Sequence, residues 1–194
     1  MNKNLIRIVV IGPESTGKSS LCAALAEHFH TEWCPEYARE YLTDHGKDYT
    51  YAQLDEIARG QIRLEDEYAK KVLEREASMM KPESKTGALL FIDTDMYVMR
   101  VWCEFVFGKC HPWILEEIKK RKYDLYLLCN TDLAWQKDHL REYPDLETRE
   151  KLHGIYRDLL RNQQVPWAEI SGIGESRIAN AIKVVEDFLL QHRS

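Results

Sequence analysis

No stretch of this chain is apolar for long enough to cross a bilayer. Its five cysteines (Cys22, Cys34, Cys103, Cys110, Cys129) contain no C-x-x-C pair. An odd set without paired spacing argues against a disulfide framework and fits reduced thiols. Cys103, Cys110 and His111 have neither the spacing nor the ligand count of a zinc site. Positive charge is not in excess either. Lys and Arg number 27 against 32 Asp and Glu, for a formal net charge of −5. A general nucleic-acid-binding surface is therefore not expected. No charged-then-apolar leader opens the chain, so the cytoplasm is the default expectation. No repeat, low-complexity tract or linker interrupts the 194 residues, and one domain over 1–194 is expected. What remains is ordinary globular material, 44% hydrophobic and 30% charged.

Within that composition one stretch carries a specific signal. Gly12-Pro13-Glu14-Ser15-Thr16-Gly17-Lys18-Ser19 fits G-x-x-x-x-G-K-[ST] at every fixed position. The β-branched run Leu5–Ile11 precedes it, as a buried strand should. Good helix formers follow from Ser20. A glycine-rich loop between strand and helix turns successive N–H groups toward one point and binds polyphosphate. In that pattern Lys18 reaches the β- and γ-phosphates and the Ser19 hydroxyl ligates Mg²⁺. Gly12, Glu14, Ser15, Thr16, Gly17, Lys18, Ser19 and Ser20 are the nucleotide-binding candidates.

Downstream, strands and helices alternate. A short strand is expected to end near Cys34, with a helix from Pro35 through Leu42. Helical spacing runs from Tyr51 to Met80, followed by a solvated turn over 81–87. Ala88–Ile92 has no polar face and reads as a strand buried on both sides. Helices are expected over 96–107 and 112–122, a strand over 124–129, a helix over 146–162, a strand over 166–170 and a last helix over 175–192. Such alternation predicts an α/β domain with a parallel sheet. Ligands then bind at the carboxyl ends of the strands.

Several polar residues follow those strands. Asp93 is placed to hold Mg²⁺, while Asp95 is placed to cap the next helix. Glu36 could accept a proton from a substrate hydroxyl, or pair with Arg39 at i,i+3 on a helix surface. The polar segment 132–149 reads as a lid or a solvated loop, with Asp132, Trp135, Asp138, Arg141 and Arg149 along it. Trp33 and Trp102 read as core. Gly172, in the loop after the last strand, allows either close approach to an adenine ring or an ordinary turn.

The ordered set 12–19, Glu36-Tyr37-Ala38-Arg39-Glu40 and Phe91-Ile92-Asp93-Thr94-Asp95 resembles the ribosylnicotinamide kinase domain of NadR-type proteins. Gly108-Lys109, His111-Pro112 and the Trp135, Asp138, Arg141 lid extend the likeness over nearly the whole chain. The resemblance implies a P-loop NTPase fold, nucleoside-kinase-like, with a five-stranded parallel sheet and a lid. It implies ATP- and Mg²⁺-dependent phosphorylation of the 5′-hydroxyl of nicotinamide riboside. It makes Glu36, Tyr37, Arg39, Asp95, Trp135 and Asp138 candidate substrate contacts, with Glu36 or Asp95 as the base. Lys18 and Arg141 become candidate catalytic contacts to phosphate, and Arg149 and Gly172 candidate nucleotide contacts. The long members carry an adenylyltransferase domain before the kinase; with the phosphate loop beginning at Gly12, that activity is not expected here. The family lid often reads Asp-Gly-x-Arg, where this chain has Asp138-His139-Leu140-Arg141.

Overall fold

The protein is described here from a computed structural model covering residues 5–78 and 87–192. The end of the expected 51–80 helix, at Met79 and Met80, and turn residues 81–86 lie outside the described residues. Five strands form one sheet: β1 (Ile6–Ile11), β2 (Glu32–Cys34), β3 (Leu89–Asp93), β4 (Leu125–Cys129) and β5 (Trp167–Ile170). Their order is β2-β3-β1-β4-β5, and every neighbouring pair is parallel. Among the described residues seven helices connect and follow them: α1 (Lys18–His28), α2 (Tyr37–His45), α3 (Tyr51–Ser78), α4 (Met96–Phe107), α5 (Pro112–Lys120), α6 (Leu146–Arg161) and α7 (Glu175–Gln191).

The unbroken apolar character of β1, β3 and β4 has a direct cause. Successive side chains point to opposite faces, and both faces are covered. Ile8, Val10, Leu89, Phe91, Leu125 and Leu127 meet α1 and α7 through Leu21, Leu25, Val185 and Phe188. Val9, Ile11, Leu90, Ile92, Tyr126 and Leu128 meet α3, α4 and α6 through Val72, Val98, Val101, Leu152 and Tyr156. A third cluster joins α2, α3, α4 and α5 through Leu42, Leu54, Ile57, Met99 and Ile114.

Element ends follow their local chemistry. Gly46 and Gly108 close α2 and α4 at φ 83° and 68°, a region where a side chain is costly. Pro112 sits in the first turn of α5, where its missing N–H leaves nothing unpaired. Asp145 caps α6 by accepting from the Thr148 N–H at 2.7 Å. The expected lid of 132–149 is therefore shorter as irregular chain, because Leu146–Arg149 belong to α6. Among the described residues no helix is long and apolar enough to cross a membrane.

The strand order places the site. β1 is central, paired with β3 on one side and β4 on the other, while the chain leaves it through α1 to the edge strand β2. The crevice at its carboxyl end is the switch point where doubly wound sheets bind ligands.

Candidate active site

The loop after β1 is shaped by its glycines. Gly12 has φ 144°, and a Cβ there would lie 2.9 Å from the Cys129 carbonyl oxygen of β4. Gly17, at φ 76°, is the N-cap residue of α1. No side chain caps that helix and no acidic residue lies in its first turn. Its free N–H groups and positive dipole end are thus left facing the loop, as an anion site requires. The Thr16 hydroxyl donates to the Pro13 carbonyl at 2.7 Å, and Lys18 Nζ donates to the same oxygen at 3.0 Å. Lys18 therefore lies across the loop it would serve.

A carboxylate group lies next to this loop. Asp93 ends β3, fully buried, and accepts from the Ser19 hydroxyl at 2.5 Å. Burial, and then the nearby Glu36 carboxylate, push the Asp93 carboxyl up to about 6, while Lys18 and Ser19 pull it down. Glu36 is the N-cap residue of α2 but makes no side-chain capping bond. Its carboxylate instead faces the cavity and receives the Thr94 hydroxyl at 3.3 Å.

Asp95 differs from its expected role as base or ribose contact. It is 1% exposed and absent from the cavity wall. One carboxylate oxygen accepts the Tyr97 and Val98 N–H groups at the start of α4, and the other accepts the Tyr126 hydroxyl at 2.8 Å. Both oxygens are occupied within the fold. Burial raises its carboxyl to about 7. Asp95 thus caps α4, with both of its oxygens engaged inside the fold.

Residues 130–145 cross over the phosphate loop without regular structure. Glu14 is their anchor. It accepts the Glu142 N–H at 2.9 Å, the Tyr143 N–H at 2.6 Å and the Trp135 ring N–H at 3.4 Å. The Ser15 hydroxyl accepts the Gln136 N–H at 2.9 Å and Arg141 at 3.3 Å. Arg39 of α2 does not pair with Glu36; it bonds Asp138 of the lid at 3.0 Å. His139 adopts no positive φ, and its side chain is 75% exposed, so histidine fits where relatives of this pattern often have glycine.

Other candidates are placed away from the cavity wall. The Tyr37 ring fills the space beside Gly60 of α3, where a Cβ would lie 1.9 Å from it. Trp135 contacts Glu14 rather than lining the cavity. Arg149 is 4% exposed and donates to the Leu133 carbonyl at 3.2 Å. Gly172 donates its N–H to Asp132 at 2.6 Å. The Gly108–Pro112 turn folds over the start of α3, with His111 stacked on Tyr51 at 3.8 Å.

Three features escaped the sequence reading. Arg177 of α7 is 4% exposed and bonds Asp132, the Gly172 carbonyl, the Thr16 carbonyl and the Asn130 carbonyl. It ties the phosphate loop to the ends of β4 and β5; a lone arginine in a late helix gives no sequence signal for this. Gln61, 1% exposed on α3, accepts the Tyr37 N–H at 2.7 Å and donates to the Pro35 carbonyl at 3.4 Å, bracketing Glu36. Trp102 packs against the core cluster of α2–α5, as expected, and also lines the cavity, which was not. Its ring N–H donates to the Tyr49 hydroxyl at 2.7 Å, and Tyr49 donates to Glu142 at 2.9 Å.

These elements enclose a cavity of about 400 Å³. Its lining combines the loop 12–20, the side chains of Tyr49, Val98, Trp102, Phe105, Tyr143 and Tyr156, and the charged Glu36, Arg39, Asp138 and Arg141. A polyanion site, a carboxylate and an aromatic chamber thus share one enclosure. The family described as "AAA domain" matches residues 7–177. The chain belongs to that family. It is also similar to the trifunctional NAD biosynthesis/regulator protein NadR of Escherichia coli (strain K12), at 26% identity over 96% of this chain and 43% of that protein. The NadR of Salmonella typhimurium is likewise 26% identical, over 94% of this chain and 42% of its own length. The chain spans less than half the length of these relatives. Among solved structures, NadR in complex with NR superposes with TM-score 0.74 at 21% identity, over 95% of this chain and 50% of that one. NadR in complex with NAD and AMP-PNP gives 0.70 at 20% identity, over 95% and 49%. Thymidylate kinase from Ehrlichia chaffeensis gives 0.60 at 12% identity, over 95% and 98%. The fold of this AAA-domain chain is that of the P-loop kinases, and its resemblance to NadR-type proteins extends over nearly all its length.

The residues present fit a divalent cation. Ser19 and Asp93 supply hard oxygen donors in contact at the foot of the loop, and the crowding of Asp93 by Glu36 favours a cation there. Among the described residues no three His, Cys, Asp or Glu side chains form an all-protein metal site.

Proposed function

We propose that this chain phosphorylates the 5′-hydroxyl of nicotinamide riboside with ATP and Mg²⁺, as one cytoplasmic kinase unit with residues 132–145 as its lid. The observation that carries this reading is the position of Glu36. It is a carboxylate with no capping duty in the lining of a cavity that the phosphate loop and aromatic side chains share. The names of the NadR relatives and of the NR complex support the substrate.

In this reading the N–H groups of the loop and Lys18 hold the β- and γ-phosphates of ATP. Ser19 and Asp93 would hold Mg²⁺, which would supply charge neutralisation at those phosphates. Glu36 takes the proton from the attacking hydroxyl, and the aromatic chamber aligns the nucleoside. Arg141, fixed to Ser15 of the loop, stabilises charge on the transferring group. The nicotinamide ring of the riboside is cationic. Trp102 and Tyr49, with Glu142 beside them, supply aromatic faces and negative charge, in place of the Trp135 and Tyr37 expected from sequence. Cation–π attraction of roughly 0.5–2 kcal/mol would favour it over neutral nucleosides.

ATP consumption against a panel of nucleosides, with the product identified by mass, tests this. Nicotinamide riboside is expected to give nicotinamide mononucleotide with the highest kcat/KM. Preference for thymidine or deoxycytidine would replace the substrate assignment with a second nucleoside-kinase reading. ATP binding without turnover of any nucleoside would leave a regulatory module.

A further inference from the structure

Thr94 occupies a backbone conformation that its side chain disfavours. Its φ is 78°, in a fully buried position directly after β3. A β-branched residue there is an outlier, and Gly or Asn would adopt that conformation at less cost. Such strain persists where the surroundings impose it and concentrates at functional sites. Here the main chain is pinned by the Thr94 N–H, which bonds the Val10 carbonyl of β1 at 3.4 Å. From this position the hydroxyl lies 3.3 Å from Glu36 Oε1 and 3.4 Å from Asp93 Oδ1. The other Asp93 oxygen is taken by Ser19. Among the described residues Thr94 is the group that hydrogen-bonds the Glu36 carboxylate. Gln61 fixes the main chain on both sides of Glu36 and also reaches the Asp93 carbonyl at 3.5 Å. The backbone of Glu36 is thus held by one residue and its carboxylate by another.

We propose that Thr94 is a positioning residue, one that keeps two mutually repelling carboxylates in separate tasks. Its hydroxyl carries one proton and can satisfy one carboxylate at a time. Placed between them, it holds Glu36 turned toward the nucleoside end of the cavity and Asp93 toward Ser19. The strained φ sets where the side chain starts; the hydroxyl, and not the methyl, makes the contacts. The inference rests on the kinase reading above, with Glu36 as the group that meets the nucleoside.

Three variants separate hydroxyl, shape and backbone. Thr94→Val keeps the shape and removes the hydroxyl. It is expected to lower kcat about ten- to a hundredfold, the range for losing a hydrogen bond to a charged group. Calorimetric titration with nicotinamide riboside should show weaker binding, with affinity for a non-hydrolysable ATP analogue unchanged. Thr94→Ser restores the hydroxyl and should return kcat and nucleoside affinity to near the wild-type values. Thr94→Gly relieves the backbone, so it should melt no lower than Thr94→Val yet be equally slow; it carries the test if Thr94→Val folds poorly. Wild-type kcat and nucleoside affinity in both hydroxyl-free variants would overturn the proposal. So would a Thr94→Ser variant as impaired as Thr94→Val. Both outcomes leave wild-type turnover intact and so fail this inference alone. A wild type that neither binds nor phosphorylates any nucleoside overturns the kinase reading, and this one with it.

Discussion

The two ends of the cavity are held by different means. The phosphate-loop end is set by main chain: two glycines at positive φ, the uncapped start of α1, and parallel strands on either side of β1. The lid end has no regular structure. It is held by side chains of the loop it covers, chiefly three bonds to Glu14 and two to Ser15. Main-chain geometry supported by a sheet tolerates little change. A side-chain anchor can be released and remade, as a lid must be for substrate to enter and product to leave. In this chain two variable positions of the loop motif, Glu14 and Ser15, bond the segment that covers it, while the glycines shape the loop itself.

The sharpest break in that comparison is Lys18→Ala, which removes a fixed-position charge. Turnover should be lost, because that charge acts on the phosphates that bind and react. Near-normal ATP-dependent product formation in this variant would mean the loop does not hold the nucleotide. Next are two carboxylates that follow strands, one in the cavity wall and one buried beneath it. Glu36→Gln should cost about 10²–10⁴-fold in kcat, the usual contribution of a positioned base. Asp95→Asn, at a buried cap, should act on thermal stability with kcat far less affected. A kcat loss confined to Asp95→Asn would exchange their roles.

Arg141→Ala tests the lid end and should lower kcat by about a hundredfold while raising the nucleoside KM less. If only KM changes, Arg141 binds substrate and does not act on the transferring group. The smallest effect is expected from Glu14→Ala, which unties the lid without touching phosphate. Nucleoside KM should rise by a factor of a few, in line with losing partly exposed hydrogen bonds. An ATP KM that rises while the nucleoside KM stays fixed would place Glu14 among the nucleotide ligands instead of the lid anchors.

Most of the sheet was legible because local pattern and global fold agree. A strand buried on both faces must be apolar throughout, and β3 and β4 are. The loop motif was legible because it works through backbone N–H groups and fixed spacing, both local properties. Side-chain direction was much less legible. Glu36 and Asp95 both follow strands and precede helices, yet one opens into the cavity and the other is sealed by Tyr126. The capping bonds of Asp95 to Tyr97 and Val98 are local, but the seal on its other oxygen comes from a tyrosine 31 positions away.

By itself, then, the chain's order of apolar runs, glycines and helix formers determined the parallel α/β sheet, the phosphate loop and the end of the sheet that carries the site. Tertiary structure alone decided which aromatic rings wall the cavity, which acid faces it, and that Arg177, Gln61 and Thr94 hold its parts in register. Strand and helix formation depend on neighbours along the chain. The site depends on contacts between residues such as Thr16 and Arg177, 161 positions apart, which only the packing of the sheet and its helices brings together.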